Sequence, residues 1–486
     1  MLTLHGEEAE KSLATGMAEN VKIEKENPAM QRMREFGTAP IARLLVKYSL
    51  PAVIGTVVMA LYNIIDSVVI GHAIDDPNVV SGIAVTFPVM NLATAFGMLI
   101  GVGCATRISI VLGQNDHKRA EMILGNSVTL TVLVGIFYTA AFAIFLNPLL
   151  RLFGASPNSL PYAREFLLWV LPGMVLMNLT FSYNNVMRAS GYPGKAMYTN
   201  LIGAGLNIVL APLFLFVFKW GIKGAAVATD ISMLVTAFFV IGHFFNSKHT
   251  LSFRRGTFRP KWEIVKSILY IGMSPFLINV ANASINAIIN GSLLKYGGDN
   301  AIAAVVVFNR YVTIFIFVVI GICQGMQPIL GYNYGAGKLK RLFGTLKLAA
   351  TAGFVITCIG AVAGALTPHS IASMFMQDER QIECAVNCLR ITTLGFWMVG
   401  FQVVGTNFFQ SLGMATKSVF LSLTRQILFM VPLLFILPPI FHLDGVWMCF
   451  PISDAVATVV TAVMLWWQIR RINAEAEERR LRQVSE

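Results

Sequence analysis

From residue 42 onward the chain is built of long apolar runs separated by short polar turns. Twelve such segments are predicted, at 42–71, 80–112, 122–147, 163–187, 196–218, 222–246, 265–293, 302–330, 345–369, 384–411, 417–440 and 445–469. Each is long enough to cross a hydrocarbon core of about 30 Å as a helix. A bilayer offers no water to unpaired backbone groups, so helices are the expected conformation. Alternating strands of about ten residues, the pattern of a membrane barrel, are missing from the sequence. The predicted fold class is an all-α polytopic membrane protein with 12 transmembrane helices.

The pattern occurs twice. Ile110-Val111-Leu112-Gly113 closes an apolar run, polar Gln114 to Lys118 follow, and Leu124-Gly125-Asn126 opens the next. Later come Ile329-Leu330-Gly331, polar Tyr332 to Lys340, and Leu342-Phe343-Gly344. Pro51 with Pro275, Gly191 with Gly413, and Pro212 with Pro432 keep nearly the same offset. Six helices per half is an even number, so the halves enter the membrane in the same sense, as parallel repeats. A path between two such lobes is the usual plan of a secondary transporter.

Composition supports the membrane reading. Of 486 residues 56% are hydrophobic and 13% charged, against about 25% charged in soluble domains; mean hydropathy is +0.66. The net charge of +12 is spread between apolar runs rather than gathered in one patch, so nucleic acid is not an expected partner. The six Cys lie in or beside apolar segments with no zinc spacing. Basic residues concentrate in the tail and in alternate connections, among them Lys118, Arg119, Arg188, Lys195, Lys338, Lys340 and Arg341. The positive-inside rule then predicts that both termini are cytoplasmic. The expected organisation is a loose cytoplasmic arm (1–40), a six-helix lobe (41–246), a cytoplasmic linker (247–264), a second six-helix lobe (265–470) and a cytoplasmic tail (471–486).

Ionisable residues inside the membrane are costly and are functional candidates. Asp66 in segment 1 has Tyr62 at i−4 and Asn63 at i−3 on its helix face. A carboxylate beside hydroxyl and amide oxygens can hold a proton or a hard cation such as Na+. Asp230 in segment 6 and Asp454 in segment 12 are further candidates. Amide stripes mark a possible substrate cavity: Asn279, Asn282, Asn286 and Asn290 fall within an arc of about 80°. Segment 4 carries Asn178, Ser182 and Asn185, and segment 10 carries Gln402, Thr406 and Gln410. Such stripes serve equally as bonds between helices. Arg310 and Arg425 lie within segments 8 and 11 and require a partner. No phosphate-binding loop, His-Glu-x-x-His motif or catalytic constellation is found, so no cofactor is expected, ATP is not a direct energy source, and the chain is not expected to be an enzyme.

Three strings carry a family resemblance: QGMQPILGYNYGAG (Gln324 to Gly337), YNIIDSVVIG (Tyr62 to Gly71) and MRASGYPGKAM (Met187 to Met197). They resemble the multidrug and toxic compound extrusion (MATE) family, in its DinF-like and MepA-like bacterial branch. The resemblance implies two six-helix lobes in a V shape, a monomer in a bacterial cytoplasmic membrane, and export of lipophilic or cationic compounds in exchange for H+ or Na+. It also implies a cation site. Asp66 matches the family's acidic residue in helix 1, Asn207 the Asn of an Asn-x-x-x-Asp pattern in helix 5, and Thr229 a Thr in helix 6. The Asp of that pattern is Ala211 here, and segment 7 lacks the acidic residue of some relatives. A sodium cage has thus lost a carboxylate, which favours H+ as the coupling ion, with Asp230 as a compensating group. The competing readings are a lipid-linked oligosaccharide flippase, which would favour a more cationic cavity, and a membrane-embedded enzyme or receptor.

Overall fold

A computed structural model describes residues 28–73 and 77–485, apart from some side chains within the helices. Twelve described helices are long and apolar enough to cross a membrane, and they are numbered α1 to α12 here. The first lobe holds α1 (Ile41–Ala73), α2 (Pro77–Gly113), α3 (His117–Ile144), α4 (Leu160–Ala189), α5 (Pro193–Pro212) and α6 (Ile222–Phe244). The second begins with one long helix, Trp262–Gly335, broken at Gly298 into α7 (262–297) and α8 (299–335). It continues with α9 (Leu339–Leu366), α10 (Glu379–Ser411) and α11 (Ala415–Ile436). Its last helix, Pro438–Ser485, is broken at His442, after which α12 runs over 443–485.

The repeat extends to irregular backbone. A π turn, Leu213–Val217, follows Pro212 at the end of α5, and another, Thr424–Met430, interrupts the α11 rod just before Pro432. Gly221 (φ 60°) precedes α6 as His442 (φ 52°, ψ −128°) precedes α12. That conformation suits glycine, and a side chain there costs about 1–3 kcal/mol. His442 is exposed, so His442→Gly is expected to stabilise the protein by about 1 kcal/mol net of glycine's greater unfolded freedom. A rise in the thermal unfolding midpoint in detergent checks this; an unchanged or lower midpoint refutes it.

The lobes meet along glycine crossings that mirror one another. A Cβ on Gly325 would lie 2.5 Å from Ser49 Cα and one on Gly321 2.6 Å from Val53 Cα, so α8 rides directly on the backbone of α1. In the matching pair a Cβ on Gly103 would lie 2.1 Å from the Ile268 carbonyl and one on Gly272 1.6 Å from the Leu99 carbonyl, joining α2 to α7. Hydrogen bonds flank these seams: Thr56 donates to the Phe317 carbonyl at 3.1 Å, and Gln327 Nε2 to Thr106 Oγ1 at 2.6 Å. All of these contacts lie toward one end, the end that carries the starts of α1 and α7 and the finishes of α2 and α8. Toward the other end, Asn282, Asn286, Asn290, Asn309 and Arg310 are exposed. The result is a V-shaped pair of lobes.

The expectation of a loose arm fails for residues 28–38. They form a helix, Pro28–Thr38, the arm helix. Phe36 on it is 1% exposed and its ring lies 4.8 Å from Tyr48 of α1 and 5.5 Å from Tyr332 of α8. The last turn of a helix leaves carbonyls unpaired, and here the second lobe supplies the donors. Asn333 Nδ2 donates to the Phe36 carbonyl at 3.0 Å, Lys338 Nζ to that of Gly37 at 3.0 Å, and Arg341 Nη2 to that of Ala39 at 2.5 Å. Three apolar positions, Ala29, Met33 and Phe36, are enough to dock a helix whose end is capped by another lobe's cations. Residues 1–27 lie outside the described part.

Candidate functional site

Helix α1 carries Tyr62 and Asp66 one turn apart, and α1 packs on α5, which packs on α6. The Tyr62 hydroxyl is hydrogen-bonded to Thr229 of α6. Thr229 Oγ1 itself donates to the Ala225 carbonyl at 3.0 Å and accepts from Asn207 Nδ2 of α5 at 3.1 Å. Tyr62 is therefore the donor in its bond. Asn207 and Thr229 are buried, at 2% and 4% exposure. Asp66 Oδ1 is buried and has no hydrogen-bond partner among the described residues. Four of the sequence candidates, Tyr62, Asp66, Asn207 and Thr229, are thus gathered by three helices into one group. The side chain of Asn63 lies outside the described residues.

Asp230 points elsewhere. Thr229 and Asp230 are about 100° apart on α6, and the Asp230 carboxylate lies against α4, where a Cβ on Gly173 would come within 1.9 Å of Oδ1. Asp230 does not stand in for the carboxylate replaced by Ala211; it faces a gap that glycine leaves open. The carboxylate is held there by the backbone N–H of Gly173.

The amide stripes divide. In α7, Asn279 Nδ2 reaches across the seam to Met98 Sδ at 3.2 Å, and Asn282 accepts from Gln426 of the second π turn. Asn286 and Asn290 line a cavity of about 250 Å³ with Asn309, Val305, Ile289 and Phe450. Asn309, next to the charged Arg310, has no amide stripe around it in segment 8 to mark it in the sequence. Arg310 is exposed. Arg425 pairs with Asp454, Nε to Oδ1 at 2.5 Å, inside the second lobe.

The amides of the stripes on α4 and α10 are buried among helices rather than exposed as those of Asn282, Asn286 and Asn290 on α7 are. Asn178 is 2% exposed and donates to the Tyr138 hydroxyl at 2.6 Å. Asn185 accepts from Arg188 Nη2 at 2.8 Å. Gln402 and Gln410 are 4% and 7% exposed. Helical spacing tells which residues share a face but not which neighbour covers that face. On α4 the amides of Asn178 and Asn185 turn into the packing of their own lobe and bond Tyr138 and Arg188 there.

The comparisons with known proteins agree with this architecture. The family profile MatE matches residues 51–213 and 275–436, one match in each lobe. The chain is 26% identical over 450 residues to the multidrug export protein MepA of Staphylococcus aureus (strain NCTC 8325 / PS 47), covering 92% of this chain and 98% of that protein. It is 26% identical over 440 residues to MepA of Staphylococcus haemolyticus, with 90% and 96% covered. Among solved structures it is similar to a MOP superfamily transporter from Pyrococcus furiosus, at 25% identity and a TM-score of 0.86 over 92% of this chain and 99% of that one. It also matches a MATE structure described as bent, at 24% identity and a TM-score of 0.87, over 93% of this chain and 100% of that one. With both repeats matched by one profile across most of its length, the chain belongs to the MatE family of membrane transporters.

Proposed function

We propose that this protein exports lipophilic or cationic compounds across a bacterial cytoplasmic membrane in exchange for protons that bind at Asp66. The observation that carries the reading is the Oδ1 of Asp66, buried and without a partner among the described residues, one turn from Tyr62. A charged carboxylate is costly to hold at such a place. Its protonation is therefore tied to whichever conformation brings it water or a partner. Tyr62 lies one turn from Asp66 on α1 and meets Thr229 of α6, which accepts from Asn207 of α5, so a change of charge at Asp66 acts on the helix that packs against α5.

A proton suits the group better than Na+. The Thr229 hydroxyl already donates to the Ala225 carbonyl and accepts from Asn207, so it is a poor further ligand for a cation. Ala211 offers no oxygen where the family pattern has a carboxylate. A sodium ion needs about six oxygens, more than this group supplies. The pairing of Arg425 with Asp454 leaves fewer free cations for a pyrophosphate-bearing lipid, which weighs against the flippase reading.

The driving force is adequate. One proton moving inward across about 100 mV releases roughly 2.3 kcal/mol, and one pH unit adds about 1.4 kcal/mol. Together they support a several-hundred-fold gradient of a neutral compound; a monovalent cation exchanged one for one draws only on the pH gradient. Vesicles loaded with a fluorescent dye and given either a pH or a sodium gradient test this. Dye movement with the pH gradient alone is expected, and movement only with sodium overturns proton coupling.

A further inference from the structure

A second cluster lies away from the cavity, where the arm helix, the α4–α5 turn and the linker after α6 meet. Tyr192 is at its centre, 5% exposed. The Arg32 guanidinium sits 4.4 Å and the Lys195 ammonium 5.3 Å from its ring centroid. His243 and His249 stack with centroids 4.0 Å apart, and both rings touch Tyr192. His249 Nδ1 is 2.7 Å from the His243 carbonyl and its Nε2 is 3.2 Å from Lys195 Nζ. The carbonyl can only accept, so Nδ1 carries the proton and Nε2 accepts from the ammonium; His249 is neutral.

Two deficits coincide here. The first is charge: among the described residues the ionisable neighbours that act on His243 and His249 are each other, Lys195 and Arg32, with no carboxylate among them. Glu35, one turn along the arm helix, is paired with Lys47 at 2.5 Å. The second is hydrogen bonding. His243 is 7% exposed, yet among the described residues neither ring nitrogen has a partner, and Thr250 Oγ1 is buried with none. A neutral imidazole always carries one N–H, and a buried donor without an acceptor is costly. Cations without a counter-charge and donors without an acceptor call for one kind of ligand, an oxyanion.

We propose that this cluster binds a phosphate-class oxyanion, with Arg32 and Lys195 as its charge partners and His243 and Thr250 as hydrogen-bond donors. Lys195 opens α5 and His243 closes α6, so the site lies at the level where membrane helices end. An anionic phospholipid headgroup and free phosphate share the required chemistry. The inference stands apart from the transport reading, because its test reads binding and not export.

The test uses the full chain purified in phosphate-free detergent. Inorganic phosphate is titrated against chloride at constant ionic strength. Short-chain phosphatidylglycerol is titrated in parallel against phosphatidylcholine, with thermal unfolding and native mass spectrometry as readouts. A rise in unfolding midpoint with phosphatidylglycerol alone assigns a headgroup, a rise with phosphate alone assigns the free ion, and a rise with both supports the site for either. Arg32→Gln with Lys195→Gln is expected to weaken binding about thirty-fold, the loss of two basic groups facing an anionic surface. Lys195→Arg is expected to retain it. The Lys195 side chain is exposed, so Lys195→Gln alone keeps the test independent of folding, with a loss of about five-fold. The same binding in wild type and variants, or no response to either anion, overturns the proposal.

Discussion

Asp66→Asn is expected to abolish export driven by a pH gradient while leaving the fold and compound binding intact. The substitution is nearly isosteric and keeps the bonds of Tyr62 to Thr229 and of Thr229 to Asn207. What it removes is the one group in that cluster able to exchange a proton. With no proton to return, the cycle can only equilibrate its substrate, so a several-hundred-fold gradient should fall to near unity. Dye accumulation in vesicles measures the loss, and equilibrium exchange of the same dye in the same vesicles should persist. Wild-type accumulation by Asp66→Asn would remove Asp66 from the coupling mechanism. Loss of exchange as well would show that Asp66 is needed for binding or folding instead.

The second large effect concerns the arm helix. Phe36→Ala combined with Lys338→Gln and Arg341→Gln is expected to undock it. Phe36 is fully enclosed by Tyr48 of the first lobe and Tyr332 of the second, and removing so buried a ring costs about 3–5 kcal/mol. The two cations satisfy carbonyls at the end of the arm helix, each contact being worth about 1.5–3 kcal/mol as a charged hydrogen bond. Release of the arm helix should shift the balance toward a state open at this end, read as longer distances between spin labels at exposed Lys118 and Lys340. An unchanged distance distribution would show that the glycine seams alone hold this end shut.

Much of this was legible in the chain. Hydropathy placed the twelve spans because each must satisfy its own backbone in hydrocarbon, a constraint local to the segment. The i, i+4 relation of Tyr62 and Asp66 placed them on one face for the same reason. The contacts of Thr229 and Asn207 were reached only through the family pattern. What could not be read depended on partners distant in sequence. Asn178 and Asn185 carry the same spacing as the α7 amides, yet Tyr138 and Arg188 claim them. Asp230 sits beside Thr229 in sequence, yet a glycine on α4 turns it to another neighbour. The arm helix has a polar composition, and the rings that enclose Phe36 come from two lobes.

The mirrored glycine crossings have a kinetic consequence. Where Gly321 and Gly325 ride on Val53 and Ser49, and Gly103 and Gly272 meet Ile268 and Leu99, backbone lies on backbone. Interlocked side chains would have to leave their wells and find new ones each time the helices slid, and each jump would add to the barrier. A seam of bare backbone has few rotamers to reset. It acts as a low-friction bearing, holding the lobes close while presenting few steps to climb when they rock. Filling one seam with a leucine would leave its mirror image smooth, so the two halves of the motion would no longer run at the same rate.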